Sequence, residues 1–126
     1  MYDLKILLCD DSLLVRKKMI NALQERGFTQ LFEASDGEEA ISVCRAERPN
    51  LVLLDIVMPK KDGLEALVEI KELDPKIQVV MVSSVGTQGK LMQAIKLGAF
   101  SFLQKPVTID AVIDVISKLG SERGDS

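Results

Sequence analysis

An α/β fold with a single, doubly wound, five-stranded parallel sheet and five helices is the architecture that this sequence predicts. Five short apolar segments alternate along the chain with five segments whose apolar residues recur at helical spacing. The third apolar segment contains four consecutive large aliphatic residues, 51–54, which is typical of a strand covered by helices on both faces. Strands that alternate with helices in this way form parallel sheets with helices on both faces.

The strands are predicted from apolar or alternating runs that end in polar or turn-forming residues. The first ends at Asp10 and Asp11, and the second is weaker and alternating. The third delivers Asp55, and Pro59 stops its continuation. The predicted strands cover residues 4–9, 28–34, 51–54, 77–82 and 100–104.

The helices are predicted from their caps and their apolar faces. Ser12 and Thr108 are expected N-caps, and Asp36 with Glu39 three residues later has the pattern of a capping box. Val15 and Ile95 are among the residues expected to face the core. The predicted helices lie between Ser12 and Gly27, over residues 37–47 and 64–73, between Gly89 and Gly98, and between Thr108 and Gly120.

Length and composition indicate one globular domain over residues 1–120, followed by a polar tail at 121–126 that we expect to be disordered. The net charge of −3 argues against direct nucleic-acid binding. The absence of histidine excludes a histidine-based triad and most zinc sites. Cys9 and Cys44 are expected to be reduced core thiols. No apolar run approaches membrane-spanning length, so a cytoplasmic location without membrane insertion is predicted.

Polar residues follow four of the predicted strands, and parallel strands all end at the same edge of a sheet. Asp55 alone could be a polar strand terminus. It is accompanied at that edge by four further residues that leave strands one, four and five. The set is Asp10, Asp11, Asp55, Ser83 and Lys105.

Three carboxylates at one edge repel one another, by on the order of 4 kcal/mol for each pair at about 4 Å and a near-surface dielectric. Lys105 supplies one compensating charge, and a hard divalent cation would supply two more. Carboxylates, water and a backbone carbonyl are the ligands that Mg²⁺ prefers, often together with a phosphate oxygen. The pattern therefore indicates a phosphoryl site in which one Asp acts as nucleophile.

With these residues the chain resembles the response-regulator receiver domains, up to about Leu119. The resemblance rests on the Asp10-Asp11 pair, Asp55 in the segment Asp-Ile-Val-Met-Pro, Asp62-Gly63, Ser83, Gly98-Ala99 and Lys105-Pro106. It implies a flavodoxin-like, CheY-like fold with strand order 2-1-3-4-5. It also implies a part in two-component signalling.

The resemblance implies a role for each site residue. Asp55 would be the phosphoacceptor, supplied by a histidine kinase. Asp11, Asp55 and the backbone carbonyl of Val57 would ligate Mg²⁺, with Asp10 acting through water. Lys105 would pair with the phosphoryl group.

The resemblance further implies a switch. Ser83 would bond the phosphoryl oxygens and move toward them, and Phe102 would then turn inward. The Lys105–Pro106 bond is expected to be cis. The face made by the fourth helix, fifth strand and fifth helix would bind a target protein, and the chain would be a monomer or weak dimer. It would catalyse only its own phosphoryl transfer and autodephosphorylation, and so is not classed as an enzyme.

Departures from the family pattern and three alternatives remain. Ser84 stands where alanine is usual, Phe102 lacks a tyrosine hydroxyl, and Val57 removes a polar group that could orient water, so we expect a slow or middling loss of phosphate. A stand-alone chemotaxis-type regulator is the leading interpretation, and a receiver cut from a larger response regulator is the alternative. A haloacid-dehalogenase-type phosphatase would need a second acid at Val57. A flavodoxin-like electron carrier is disfavoured because Asp10 and Asp11 would repel the phosphate of FMN.

Overall fold

The computed structural model describes residues 3–84 and 86–122, and it confirms the predicted five-stranded, all-parallel sheet. The strand order is β2-β1-β3-β4-β5, the order that the resemblance implied. Each strand lies within two residues of its predicted bounds. The strands are β1 (Lys5–Cys9), β2 (Gln30–Ala34), β3 (Leu51–Asp55), β4 (Gln78–Ser83) and β5 (Ser101–Gln104).

Five α-helices and one short 3₁₀ turn connect the strands. Four helices begin at a side-chain N-cap. Ser12 Oγ accepts from the Val15 amide at 3.2 Å, Asp36 and Asp62 cap the next two helices in the same way, and Thr108 Oγ1 accepts from the Ala111 amide at 3.2 Å at the start of the last helix. The helices are α1 (Leu13–Glu25), α2 (Gly37–Glu47), α3 (Gly63–Leu73), α4 (Leu91–Lys96) and α5 (Ile109–Glu122), and the 3₁₀ turn is Gln88–Lys90.

Two hydrophobic cores lie on the two faces of the sheet. Residues of β3 alternate between them, so that Leu54 packs in the core under α2 and α3 while Leu53 packs in the core under α1 and α5. All five residues of β3 are buried, which is why its sequence reads as an unbroken aliphatic run. The covered sheet leaves the strand ends as the place where polar groups can meet.

Three details of the sequence prediction were wrong. Val15 and Ile95 are exposed, at 45% and 38%, although their spacing matched the buried faces of α1 and α4. The last helix continues through Gly120 to Glu122, since one glycine costs only about 1 kcal/mol relative to alanine inside a helix. Residues 123–126 of the predicted disordered tail lie outside the described part of the chain. Within the described residues, no helix has the length and apolar character needed to cross a membrane.

Candidate functional site

Three aspartates meet at the carboxyl edge of the sheet, as the strand ends predicted. One carboxylate oxygen from each of Asp10, Asp11 and Asp55 lies within 4.8 Å of the others. The parallel register pairs Cys9 with Leu54, so the residues that follow them, Asp10 and Asp55, leave the sheet side by side. Asp10 and Asp55 are buried, at 7% and 4% exposure, whereas Asp11 faces solvent.

Lys105 joins this cluster from the end of β5. Its Nζ lies 2.7 Å from Asp55 Oδ2 and 3.0 Å from Asp10 Oδ2. The ammonium group therefore contacts both buried carboxylates and offsets part of their repulsion. The structure thus brings together Asp10, Asp11, Asp55 and Lys105 from three strands.

Burial and charge act in opposite directions on these groups. Burial raises the pKa of Asp55, and Lys105 only partly counteracts it through its hydrogen bond and its charge. For Lys105, burial by itself would lower the pKa, but the hydrogen bonds and charges of Asp55 and Asp10 together raise it. Lys105 therefore stays protonated, and the Asp55 carboxylate is held in a poorly hydrated position where an added cation is favoured.

Ser83 ends β4 beside these residues in the sheet order and is completely buried. Its backbone carbonyl accepts from the Lys105 amide at 2.8 Å. Its Oγ is the one buried side-chain nitrogen or oxygen without a hydrogen-bond partner in the described part of the chain. A buried hydroxyl left without a partner carries a free-energy cost that a ligand oxygen would remove.

Glycines at two helix N-termini allow close contact with the loop between β3 and α3, which follows Asp55. A Cβ on Gly63 would overlap the Asp55 carbonyl oxygen and lie 2.7 Å from Ile56 Cα. A Cβ on Gly37 would overlap the Lys61 carbonyl oxygen on the other side of this loop. The N-termini of α2 and α3 therefore approach the loop closely because both begin with glycine. The Lys105–Pro106 peptide bond is cis, the isomer that was expected.

Val57 and Phe102, two further site residues from the sequence, both face outward. The Val57 amide donates to Asp55 Oδ1 at 3.2 Å while its side chain is 56% exposed. Phe102 is 48% exposed. The inward turn of Phe102 stays a prediction.

Arg16 is a site residue that the sequence analysis missed, since it lies off the apolar face of α1. Its Nη1 donates to the Asp10 carbonyl oxygen at 2.6 Å, and its Nε donates to Glu33 Oε1 at 2.9 Å. A cation near a helix N-terminus is unfavourable unless it has a partner. The sequence signal that could have identified Arg16 was its position soon after the Asp10-Asp11 pair, at a helix start where a cation needs a partner.

The residues of this edge fit a magnesium ion. They supply hard oxygen donors from three carboxylates, and Asp11 is open to solvent, which allows the ion to keep water ligands. Among the described residues the Ser83 hydroxyl has no hydrogen-bond partner, so it is free to bond a further oxygen-bearing group. Asp10, Asp11, Asp55 and the Val57 carbonyl are the residues that would hold the ion.

Comparison with known proteins gives consistent matches. A family model described as the response regulator receiver domain matches residues 6–117. The chemotaxis protein CheY of Listeria monocytogenes is 40% identical over 115 residues, which are 91% of this chain and 97% of that protein.

Solved structures agree with the sequence matches. A response regulator receiver domain protein from Clostridium thermocellum has a TM-score of 0.89 at 28% identity, covering 96% of this chain and 97% of that chain. The CheX–CheY–BeF₃–Mg²⁺ complex from Borrelia burgdorferi contains a chain with a TM-score of 0.85 at 30% identity, covering 92% of this chain and 88% of that chain.

Proposed function

We propose that this chain, which belongs to the response-regulator receiver family, is a signalling switch. It would accept a phosphoryl group on Asp55 in a magnesium-dependent reaction. The observation that carries the proposal is the surroundings of Asp55. Its carboxylate is buried, contacts Lys105 at 2.7 Å, and shares the edge of the sheet with Asp10 and Asp11. These groups supply a nucleophile and the positive charge that phosphoryl transfer needs.

The donor in this proposal is a phosphohistidine of a histidine kinase. A carboxylate oxygen of Asp55 attacks the phosphorus, a phosphorus–oxygen bond forms, and the phosphorus–nitrogen bond breaks. The electron pair of the broken bond stays on the imidazole nitrogen of the kinase, which then takes up a proton. Lys105 and a bound Mg²⁺ would neutralise charge on the phosphoryl oxygens.

The hydroxyl of Ser83 supports the switching step of the proposal. It is buried and has no partner among the described residues, so it can donate to a phosphoryl oxygen without losing an existing hydrogen bond. Movement of Ser83 toward that oxygen would open space near β5, and Phe102 would turn inward from its exposed position. The α4-β5-α5 face would change shape and bind a target protein.

The output is proposed to be that of a stand-alone chemotaxis-type regulator, which the similarity to the Listeria CheY supports. A receiver that belongs to a larger response regulator remains the alternative, and the full length of the gene product separates the two. In either case the protein would transform only its own phosphoryl group, act as a monomer or weak dimer, and bind neither nucleic acid nor a membrane directly. The cytoplasmic location stays a prediction.

The test is phosphorylation by acetyl phosphate with Mg²⁺, followed by intact-protein mass spectrometry. The wild-type protein should gain the mass of one phosphoryl group, and removal of Mg²⁺ should abolish the gain. Asp55→Asn should not be labelled. Asp110→Asn, which changes an exposed carboxylate on α5, is the matched control and should be labelled like the wild type. A wild type that is not labelled, or an unchanged adduct on Asp55→Asn, would refute the proposal.

A further inference from the structure

We infer that Arg16 is a positioning residue for the magnesium ligands, and that it acts by fixing the backbone between Asp10 and Asp11 to β2. The inference rests on the proposed function, since it assigns a role within the same site. It concerns a side chain that would touch neither the metal nor the phosphoryl group. Its contacts are the Asp10 carbonyl oxygen, at 2.6 Å, and Glu33 Oε1, at 2.9 Å.

Every polar group of Asp10 already has a partner. The Asp10 amide donates to the Ala34 carbonyl at 3.1 Å, and its Oδ1 accepts from the Ser12 amide at 2.8 Å. Its Oδ2 pairs with Lys105, and its carbonyl oxygen is taken by Arg16. The carbonyl oxygen belongs to the peptide group that joins Asp10 to Asp11, so the guanidinium holds the plane from which the Asp11 side chain departs.

Arginine suits this position for geometric reasons. A helical side chain leans toward the helix N-terminus, so Arg16 on α1 extends back over the loop that precedes the helix. Its planar guanidinium donates in two directions at once, to the Asp10 carbonyl and to Glu33, whereas a lysine ammonium is a point charge without this fork. The guanidinium group is also largely buried, with 12% of the side chain exposed, which limits the geometries open to it.

Lys17, the neighbouring residue, provides a control that separates a positioning role of Arg16 from the effect of its charge. It lies next to Arg16 on α1 and binds the other oxygen of the same carboxylate, Glu33 Oε2, at 2.7 Å. In the described chain it has no hydrogen bond or ion pair with Asp10, and its side chain is 54% exposed. Removing either cation changes the net charge by the same amount, but only loss of Arg16 frees the Asp10 carbonyl.

Charge and positioning predict opposite signs for the loss of Arg16. Removal of a positive charge beside three carboxylates should strengthen Mg²⁺ binding if charge alone matters. Release of the Asp10–Asp11 peptide should weaken Mg²⁺ binding, because the carboxylates would no longer be held for the ion. Partners of metal ligands that are not themselves ligands typically change metal affinity or activity about 10- to 100-fold when mutated.

The experiment is a Mg²⁺ titration of the wild type, Arg16→Gln and Lys17→Gln, followed by amide chemical shifts in ¹⁵N NMR spectra. Arg16→Gln should bind Mg²⁺ about tenfold more weakly than the wild type. Lys17→Gln should bind as tightly as the wild type or slightly more tightly. Equal affinities of the two variants, or tighter binding by Arg16→Gln, would overturn the inference.

Two further measurements keep the result interpretable. If Arg16→Gln does not fold, Arg16→Lys is compared with Lys17→Arg: net charge is then unchanged, and only Arg16→Lys should bind Mg²⁺ more weakly, while unchanged affinity would overturn the inference. Labelling by acetyl phosphate is measured across the same Mg²⁺ range. Failure of the wild type to be labelled refutes the proposed function, whereas normal wild-type labelling with equal Mg²⁺ dependence in both variants refutes only the role of Arg16.

Discussion

The two sides of the candidate site are built differently. We call the acidic ends of β1 and β3, the loop from β3 to α3 and the Arg16–Glu33 pair the acceptor side. The loop passes between two glycines that leave no room for a Cβ, and α3 has 11 residues and a side-chain cap from Asp62. Close backbone approach and satisfied caps hold this side in one arrangement.

We call Ser83, the 3₁₀ turn, α4 and β5 the readout side, and it is packed more loosely. Helix α4 has six residues, of which only Ala94 is buried, and its N-cap residue makes no side-chain capping bond. Met92 is 67% exposed and Phe102 is 48% exposed. Strand β5 alternates between partly buried and exposed residues, as expected at the edge of a sheet.

The difference matches what a switch requires. A nucleophile must be held in place before the reaction, whereas the part of the protein that reports the reaction must have a second arrangement of similar free energy. Elements that move are drawn from the least stable parts of a fold. The acceptor side therefore reads as the fixed part and the readout side as the adjustable part, and three measurements test this contrast.

The largest difference in the free energy of unfolding is expected between two glycine-to-alanine variants, one on each side of the site. Gly63→Ala places a Cβ against the Asp55 and Ile56 backbone and should lower the free energy of unfolding by about 3 kcal/mol. Gly89→Ala, on the readout side, meets no atom of the described residues within 4 Å and should change the free energy of unfolding by less than about 0.5 kcal/mol. Urea unfolding measures both, and equal effects would contradict the contrast.

Native-state hydrogen exchange should show an intermediate effect without any mutation. Amides of α4 should open with a free energy about 2 kcal/mol lower than amides of α3, because α4 buries one residue and α3 buries four. Thr87 steadies the turn before α4, since its Oγ1 accepts from the Ser84 amide at 2.9 Å. Thr87→Val should therefore increase exchange in α4 and leave exchange in α3 unchanged. Equal protection of the two helices in the wild type would contradict the predicted difference between α4 and α3.

The smallest effect concerns pH. The hydrogen bond from Lys17 holds the pKa of Glu33 below its ordinary value, with a further contribution from Arg16. A lowered pKa in the folded state means that ionised Glu33 stabilises the fold above the unfolded-state pKa of about 4.3, and that this stabilisation is lost as the pH falls through the folded-state pKa.

Glu33→Gln should accordingly cost about 1 kcal/mol of unfolding free energy at neutral pH, a modest value because the side chain is partly exposed. The difference between wild type and variant should shrink when urea unfolding is repeated below about pH 4. A difference that stays constant over this range would show that the charge of Glu33 does not contribute to the stability of the acceptor side.

The sequence predicted the fold and the convergence of the strand ends well, because buried and exposed positions differ strongly in residue type. Helix α2 was predicted at residues 37–47 and lies at Gly37–Glu47. The meeting of Asp10, Asp55 and Lys105 followed from parallel topology alone, since all three come directly after strands or end them.

The remaining details depend on geometry that residue type does not encode. Val15 and Ile95 have the spacing of buried residues, yet they are 45% and 38% exposed. The contact of Arg16 with the Asp10 carbonyl depends on a rotamer and on the turn between β1 and α1. That the Ser83 hydroxyl has no partner among the described residues likewise depends on the packing around it and not on residue type. Such features decide how the site works and are set by packing in three dimensions.

The alternation of β3 between two cores has a consequence for how this chain tolerates change. Leu53 and Leu54 are covalent neighbours, yet Leu53 packs with residues of α1 and α5 and Leu54 with residues of α2 and α3. Altered volume at either position meets a different set of side-chain partners, so any coupling between substitutions at the two positions should pass through the backbone that they share. A single strand therefore contributes side chains to two different cores, each packed against its own pair of helices.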